Sequence, residues 1–456
     1  MDFKLLFILP DRTNQNVLAL KTEAACQFPV YESRIEDKTR GAVPQLEDIP
    51  QPYNDYFKTL TGISVFRKYV VNSEHYIVFV CEQIEEANGV PANGYSWISY
   101  DVFLGKQQDS EIIKITNSVR SGYLESTSFA PCIAWLQKIC ADKNIRITGD
   151  IAQLKYGALI ALAVFRVPTD IGDLYLKVVG DTAVNEVIFT HKLVESGLPN
   201  LPAWIDHNLE LNAFLSRDMG GEDLSSHSKI KPEDALNLVT ALARVQKESI
   251  PYVNSAGFYG YDYRIGAIID DLKTFPEDAY ETLSQTPYKI KRGKKKKIAR
   301  NIEHVIATLK SIDAAHIPDT IYNSDMALYN IRFADGRFIF YDWSWGGVSH
   351  PFFNMARLLD AINSRLPEDI SEEAILDAYL REWSDYGSHE ELRRIFKAVH
   401  RLKIFQITYF LKYIRTRYEH RNAGRMEVLS VKSRGLDKRY ENFAEYLNRF
   451  IDEDYS

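Results

Sequence analysis

Asp325, Asn330 and Asp342 are the residues of this chain whose types and spacing could do chemistry. Asn323-Ser324-Asp325-Met326-Ala327-Leu328-Tyr329-Asn330 is followed by Phe338-Ile339-Phe340-Tyr341-Asp342-Trp343. The pattern is Asp, four residues, Asn, a short hairpin, then Asp at the end of an apolar strand. One carboxylate can accept the proton of an attacking hydroxyl. The amide oxygen and the second carboxylate can hold Mg²⁺ on nucleotide phosphates. The reaction that needs this set is phosphoryl transfer.

Local elements must aim these groups at one point. A D-x-x-x-x-N loop can turn both polar ends the same way while the apolar residues between them anchor it from below. Asp335-Gly336 is a tight-turn signal, so Ile331-Arg332-Phe333 and Arg337-Phe338-Ile339-Phe340-Tyr341 are predicted to form a β-hairpin. Such a hairpin returns the chain to its start and sets Asp342 beside Asn330. An ordinary hairpin with surface carboxylates would carry the same residues, so the rest of the chain must decide.

From Tyr322 to Phe353, including FIFYDWSWGGVSHPFF, the sequence resembles the aminoglycoside phosphotransferase-like kinases, the phosphotransferase enzyme family. Those proteins typically show H-G-D-x-x-x-x-N followed by I-D-W. This chain keeps the Asp, the Asn and the Asp-Trp. It departs at Asn323, where His is usual, at Ser324, where Gly is common, and at Ala327, often His. The family His mainly braces the loop, a task open to Asn323 as another hydrogen-bonding side chain. The resemblance covers roughly residues 125–365. It implies an α+β, bilobal protein-kinase-like fold, with a β-rich N-lobe and a helical C-lobe. It also implies Asp325 as catalytic base, Asn330 and Asp342 as Mg²⁺ ligands, ATP or GTP as co-substrate, and a small-molecule hydroxyl as acceptor.

A phosphate-binding lysine is then expected upstream. Ile151–Tyr156, Leu159–Val167 and Leu174–Val179 are predicted strands, and Lys177 stands in the apolar setting of the third. A buried ammonium needs an anionic partner. Nucleotide phosphates and Glu186, in the predicted helix Val184–Glu195, are the candidates; the bland alternative is an edge lysine reaching solvent. Gly157 is the only glycine in the candidate phosphate-covering turn, so no G-x-G-x-x-G is present, and no G-x-x-x-x-G-K-[ST] occurs. The apolar strand ending Phe214-Leu215-Ser216-Arg217-Asp218 runs into Gly220-Gly221. By resemblance this segment links the lobes and binds the purine, with Ser216 and Asp218 named for that role.

The remaining composition fits an ordinary globular enzyme. The chain has 456 residues, 45% hydrophobic and 26% charged, with net charge −7, which offers no global attraction to nucleic acid or an anionic membrane. Cys26, Cys81, Cys132 and Cys140 show no zinc spacing and read as free thiols of a cytoplasmic protein. The apolar start, Phe3 to Leu9, is too short to span a membrane and is predicted as a strand. Expected domains are an extra N-terminal α+β domain at 1–108, a helical bridge at 109–145, an N-lobe with hinge at 146–218 and a helical C-lobe at 219–456. Within the first, strand-like runs fall at 3–9, 16–20, 63–71, 75–82 and 96–104. They faintly resemble a Nudix domain without its catalytic helix, so the expected role is substrate access, homodimerisation or scaffolding. A helix is predicted from Lys231 to about Gln246. Phe405, Tyr409 and Tyr413 recur at four-residue steps in a predicted helix and could face a cationic acceptor, or pack in the core. The lysine-rich run Lys289–Lys297 is predicted as a solvated loop before a helix at Ile298–Ile312. The leading function is Mg²⁺-dependent transfer of a γ-phosphoryl group to a small-molecule hydroxyl. The alternatives are an inactive nucleotide-binding scaffold, a protein kinase or a nucleotidyl-transferring relative.

Overall fold

The computed structural model describes residues 2–11, 13–23, 25–34, 52–72, 76–84, 90–121, 128–156, 161–180, 184–254, 260–284, 286–289, 292–363, 365–366, 370–402 and 434–452. They fall into two compact units. One holds Met1–Gly180, Glu210–Leu215 and Thr416–Asp437; the other holds Asp181–Leu209, Ser216–Arg415 and Lys438–Ser456. The aromatic positions 405, 409 and 413 lie outside the described residues.

The first unit begins with β1 (Asp2–Ile8), β2 (Asn16–Lys21), β3 (Cys26–Gln27), β4 (Val30–Arg34), α1 (Pro52–Thr61), β5 (Val65–Asn72), β6 (Tyr76–Gln83) and β7 (Tyr95–Ser99). Helices α2 (Tyr100–Gly105), α3 (Ser110–Arg120) and α4 (Ala130–Asp142) follow. One sheet has the order β4-β1-β6-β5, with β1 and β6 parallel; the other has the order β3-β2-β7. The apolar start is explained by burial on both faces. Leu6 and Ile8 pack with Val78, Val80, Phe103, Ile115 and Val119, while Phe7 and Leu9 pack with Phe57, Ile63 and Phe79. A strand covered on both sides has no polar face to alternate with.

Strands β8 (Ala152–Tyr156), β9 (Ala161–Val167) and β10 (Leu174–Val179) then form an antiparallel meander, with β9 central. This meander lies in the same compact unit as the N-terminal strands. The Arg67 N–H donates to Gln153 Oε1 at 2.8 Å, and Gln153 Nε2 donates back to the Arg67 carbonyl at 2.9 Å. Phe165 of β9 packs edge-on against Phe66 and Phe129.

The second unit opens with α5 (Val184–Glu195) and β11 (Trp204–Asn208). Next come β12 (Ala213–Arg217), whose last residues belong here, and β13 (Glu222–Asp223). Helices α6 (Pro232–Val253), α7 (Ile265–Ser284) and α8 (Arg292–Asp313) follow, with β14 (Tyr261–Tyr263) between α6 and α7. Strands β15 (Thr320–Asn323), β16 (Ile331–Ala334), β17 (Arg337–Phe340) and β18 (Gly346–Ser349) lead to α9 (Phe352–Asn363), α10 (Glu372–Arg381), α11 (His389–Leu402) and α12 (Arg434–Asp452), which belongs here from Lys438 on. Two small sheets sit among the helices, in the orders β13-β16-β17 and β14-β18-β15. Strand β18 is buried along its length, and a Cβ on Gly347 would overlap the Tyr261 carbonyl oxygen of its parallel neighbour. Glycine is therefore required at that close approach.

Three segments differ from the sequence expectation. Residues 100–104 are helical, because Ser99 Oγ accepts from the Val102 N–H and caps α2 at the end of β7. Helix α6 continues past Gln246 to Val253, with Pro251 inside its last turn. Lys294–Lys297 belong to helix α8. Lys is a good helix former, and these lysines meet neighbours: Lys294 reaches Asn448, Lys295 reaches Glu277 and Lys297 reaches Asp452. All four cysteines are free and buried, and burial raises the thiols of Cys81 to about 12 and Cys132 to about 11. Among the described residues, no helix is long and apolar enough to cross a membrane.

Candidate active site

The β16–β17 hairpin forms as its sequence predicts. Asp335 and Gly336 take φ of +50° and +73°, the paired left-handed conformation of a tight hairpin turn. Ile331 pairs with Phe340, and the Tyr341 N–H then donates to the Asn330 carbonyl at 3.1 Å. The hairpin therefore returns residue 341 to residue 330. Asp342 follows with φ of +55°, a costly conformation for a residue with a Cβ.

Asn323 braces this turn. It is 1% exposed, at the end of β15. Its Oδ1 accepts from the Asp325 N–H at 2.9 Å, and its Nδ2 donates to the Asp342 carbonyl at 3.1 Å. One side chain thus ties the start of the loop to the strained residue at the end of the hairpin. Asn354 of α9 holds Asn323 in turn: its Oδ1 accepts from the Asn323 N–H at 3.1 Å, and its Nδ2 donates to the Asn323 carbonyl at 2.7 Å. Every bond in this clamp satisfies a main-chain group that is buried or part-buried.

The Asp325 carboxylate is crowded. Asn330 Nδ2 donates to Asp325 Oδ2 at 3.2 Å and to the Asp325 carbonyl at 2.9 Å. Arg357 Nη2 lies 3.0 Å from Oδ1, while its Nε donates to the Met326 carbonyl at 3.2 Å. The Tyr329 hydroxyl stands 2.9 Å from Oδ1 and 3.1 Å from Oδ2. Burial first, then the Asp325 charge and hydrogen bond, raise the Tyr329 phenol above its ordinary value, so it remains a neutral donor. Tyr329's main chain is fixed separately, its carbonyl sharing the one proton of the Tyr341 hydroxyl with the Asp223 carboxylate.

Asp342 Oδ1 accepts from the Ser344 hydroxyl, which also lies 3.1 Å from Glu186 Oε2. Glu186 is buried in α5, whose Phe189 ring packs against Trp343 and covers Gly346. Lys177 is half-buried on β10, in the first unit. Ser216 is buried at the end of β12, and Asp218 Oδ1 accepts from the Gly220 N–H at 3.0 Å. The nearby His350 is fully enclosed, its Nδ1 accepting from the Phe352 N–H at 3.3 Å. Its Nε2 has no hydrogen-bond partner among the described residues, and burial lowers its pKa to about 3.

The geometry thus gathers Asp325 and Asn330 directly and brings the residue before Asp342 against Asn330. With its Nδ2 committed to Asp325, Asn330 can offer Oδ1 to a cation; that oxygen and the Asp342 carboxylate are hard donors suited to Mg²⁺. Among the described residues, no three His, Cys, Asp or Glu side chains cluster to hold a metal. Sequence reasoning did not assign roles to Tyr329, Ser344, Asn354 and Arg357. Tyr329 lay inside the motif and could have been named. Asn354 and Arg357 come from a helix beyond the hairpin, with no local signal.

No protein-family model and no curated protein matches the chain. Solved structures do match. A choline/ethanolamine kinase family protein from Mesorhizobium loti is 16% identical, with TM-score 0.41, over 70% of this chain and 98% of that one. A choline kinase from Cryptosporidium parvum is 10% identical, with TM-score 0.47, over 70% and 95%. The ADP-bound aminoglycoside phosphotransferase APH(2'')-Ib is 12% identical, with TM-score 0.43, over 69% and 98%. At such values the chemistry must be argued from this chain's own residues. Its described elements run in the α+β order that the sequence resemblance implies: a β meander, a helix, then a helical unit carrying the D-x-x-x-x-N loop and a hairpin that ends on Asp.

Proposed function

We propose that this protein is a small-molecule kinase, transferring the γ-phosphoryl group of ATP or GTP to a substrate hydroxyl with Mg²⁺. The observation that carries the reading is the Asn323 brace, which ties the Asp325 N–H to the carbonyl of the strained Asp342. Strain of this kind persists where the surrounding structure over-determines it. In this reading Asp325 orients the acceptor hydroxyl and takes its proton. Asn330 and Asp342 hold Mg²⁺, which neutralises charge on the phosphates when bound. Lys177 binds phosphate oxygens and Glu186 orients the phosphate site. Backbone groups around Ser216 and Asp218 receive the purine. Positioning supplies much of the rate.

Calorimetry of ATP and GTP binding, with and without Mg²⁺, tests the site in wild type and Asp342→Ala. Mg²⁺-dependent binding that weakens in the variant is the expected result. A folded protein that binds neither nucleotide overturns the reading. The Arg357 ion pair on Asp325 favours a second reading, a nucleotide-binding protein without transfer. Turnover that disappears in Asp325→Ala excludes it.

A further inference from the structure

Three donors converge on the Asp325 carboxylate: Arg357 on Oδ1, Asn330 on Oδ2, and the Tyr329 hydroxyl, whose oxygen lies 2.9 Å from Oδ1 and 3.1 Å from Oδ2 and whose one proton faces both. The phenol thus fills the position that bridges the two oxygens. An incoming hydroxyl that approaches the base there must replace it.

The three donors are not equally replaceable. Arg357 is also held by the Met326 carbonyl, and removing it would leave a half-buried carboxylate without its ion pair. Asn330 is also held by the Asp325 carbonyl. The Tyr329 hydroxyl makes no bond but those to Asp325 among the described residues, and Tyr329 is 52% exposed. Its main chain is anchored through the Tyr341 hydroxyl, so its side chain can rotate away while the loop stays in place. It is also the donor that matches an acceptor alcohol in kind: a neutral O–H within the reach a general base requires.

Resting on the kinase reading above, we infer that Tyr329 holds the acceptor's place at Asp325, and that transfer begins only when a substrate hydroxyl displaces its phenol. The consequence is selectivity. Water gains little by displacing a phenol, so idle nucleotide hydrolysis is suppressed. A true acceptor must use binding energy from the rest of its structure to move the ring.

Nucleotide hydrolysis without acceptor tests this in the full chain with Mg²⁺·ATP. In that reaction water attacks Pγ, its proton passes to Asp325, the bond from Pγ to the β–γ bridging oxygen breaks, and ADP and inorganic phosphate leave. Tyr329→Phe is expected to hydrolyse ATP about tenfold faster than wild type, the size of one lost hydrogen bond to a charged group. Adding Asp325→Asn is expected to abolish the gain. An unchanged rate in Tyr329→Phe, with Asp325→Asn alone slower than wild type, overturns the inference and leaves the kinase reading standing. Where hydrolysis is undetectable in every variant, ¹³Cζ-tyrosine NMR decides. The resonance missing from Tyr329→Phe should shift in Asp325→Asn, where the phenol loses its carboxylate partner. A resonance unmoved by Asp325→Asn overturns the inference. Absence of Mg²⁺-dependent nucleotide binding in calorimetry removes the kinase reading, and this inference with it.

Discussion

Arg357 and His350 show how single side chains set the terms for the candidate site. Arg357 spans the Asp325 carboxylate and the Met326 carbonyl, so it fixes the carboxylate's direction as well as its charge. Arg357→Leu is expected to lower kcat about tenfold, from the loss of a charge-assisted hydrogen bond, and to leave KM for nucleotide unchanged. Arg357→Lys should recover part of the loss, since it restores charge without the fork. Steady-state kinetics at saturating and limiting nucleotide separate the two parameters. His350 acts on stability. Its folded pKa of about 3 lies below the ordinary histidine value, so the unfolded chain binds the extra proton first as pH falls. Its contribution is complete above about pH 6.5 and declines by about 1.4 kcal/mol per pH unit from there toward pH 3. Denaturation of wild type and His350→Asn across that window should show the variant losing stability less steeply, by close to one proton.

Asn323 shows the same physics at the level of elements. It joins β15, the loop and the end of the hairpin, so Asn323→Ala removes the bonds that its side chain makes to the part-buried Asp325 N–H and Asp342 carbonyl. A cost of about 0.5–1.5 kcal/mol is expected for each lost bond. Thermal unfolding should read this as a lower Tm, and calorimetry as weaker nucleotide binding. Elements with a local signal were legible in the sequence. Asp335-Gly336 announced the hairpin, and β10 and α5 stand where the apolar run Leu174–Val179 and the segment Val184–Glu195 are predicted as strand and helix. Elements set by partners were not. Helix α8 extends through its lysines because Glu277, Asn448 and Asp452 come from other helices. The site followed the same division. The Asp325, Asn330 and Asp342 spacing is local, whereas the Asn354 clamp and the Arg357 ion pair exist only once α9 has docked.

At the scale of the molecule, the N-terminal module and the β8–β10 meander share one compact unit, joined by the Arg67–Gln153 pair and the Phe66, Phe129 and Phe165 rings. Gln153→Ala is expected to destabilise the chain by about 1–3 kcal/mol, because both Arg67 main-chain groups lose a buried partner. Chemical denaturation measures it, and an unchanged midpoint would mean that this pair does not help to hold the module. The small sheet β14-β18-β15 has a different consequence. It joins Tyr261–Tyr263, Thr320–Asn323 and Gly346–Ser349, and its β14–β18 pair is parallel. Loop-closure entropy must be met before such distant strands gain from pairing, which makes them slow to form. Helices form early from local contacts, yet Asn323 reaches its place only when this sheet closes. Refolding chains should therefore recover helical circular dichroism well before they recover nucleotide binding.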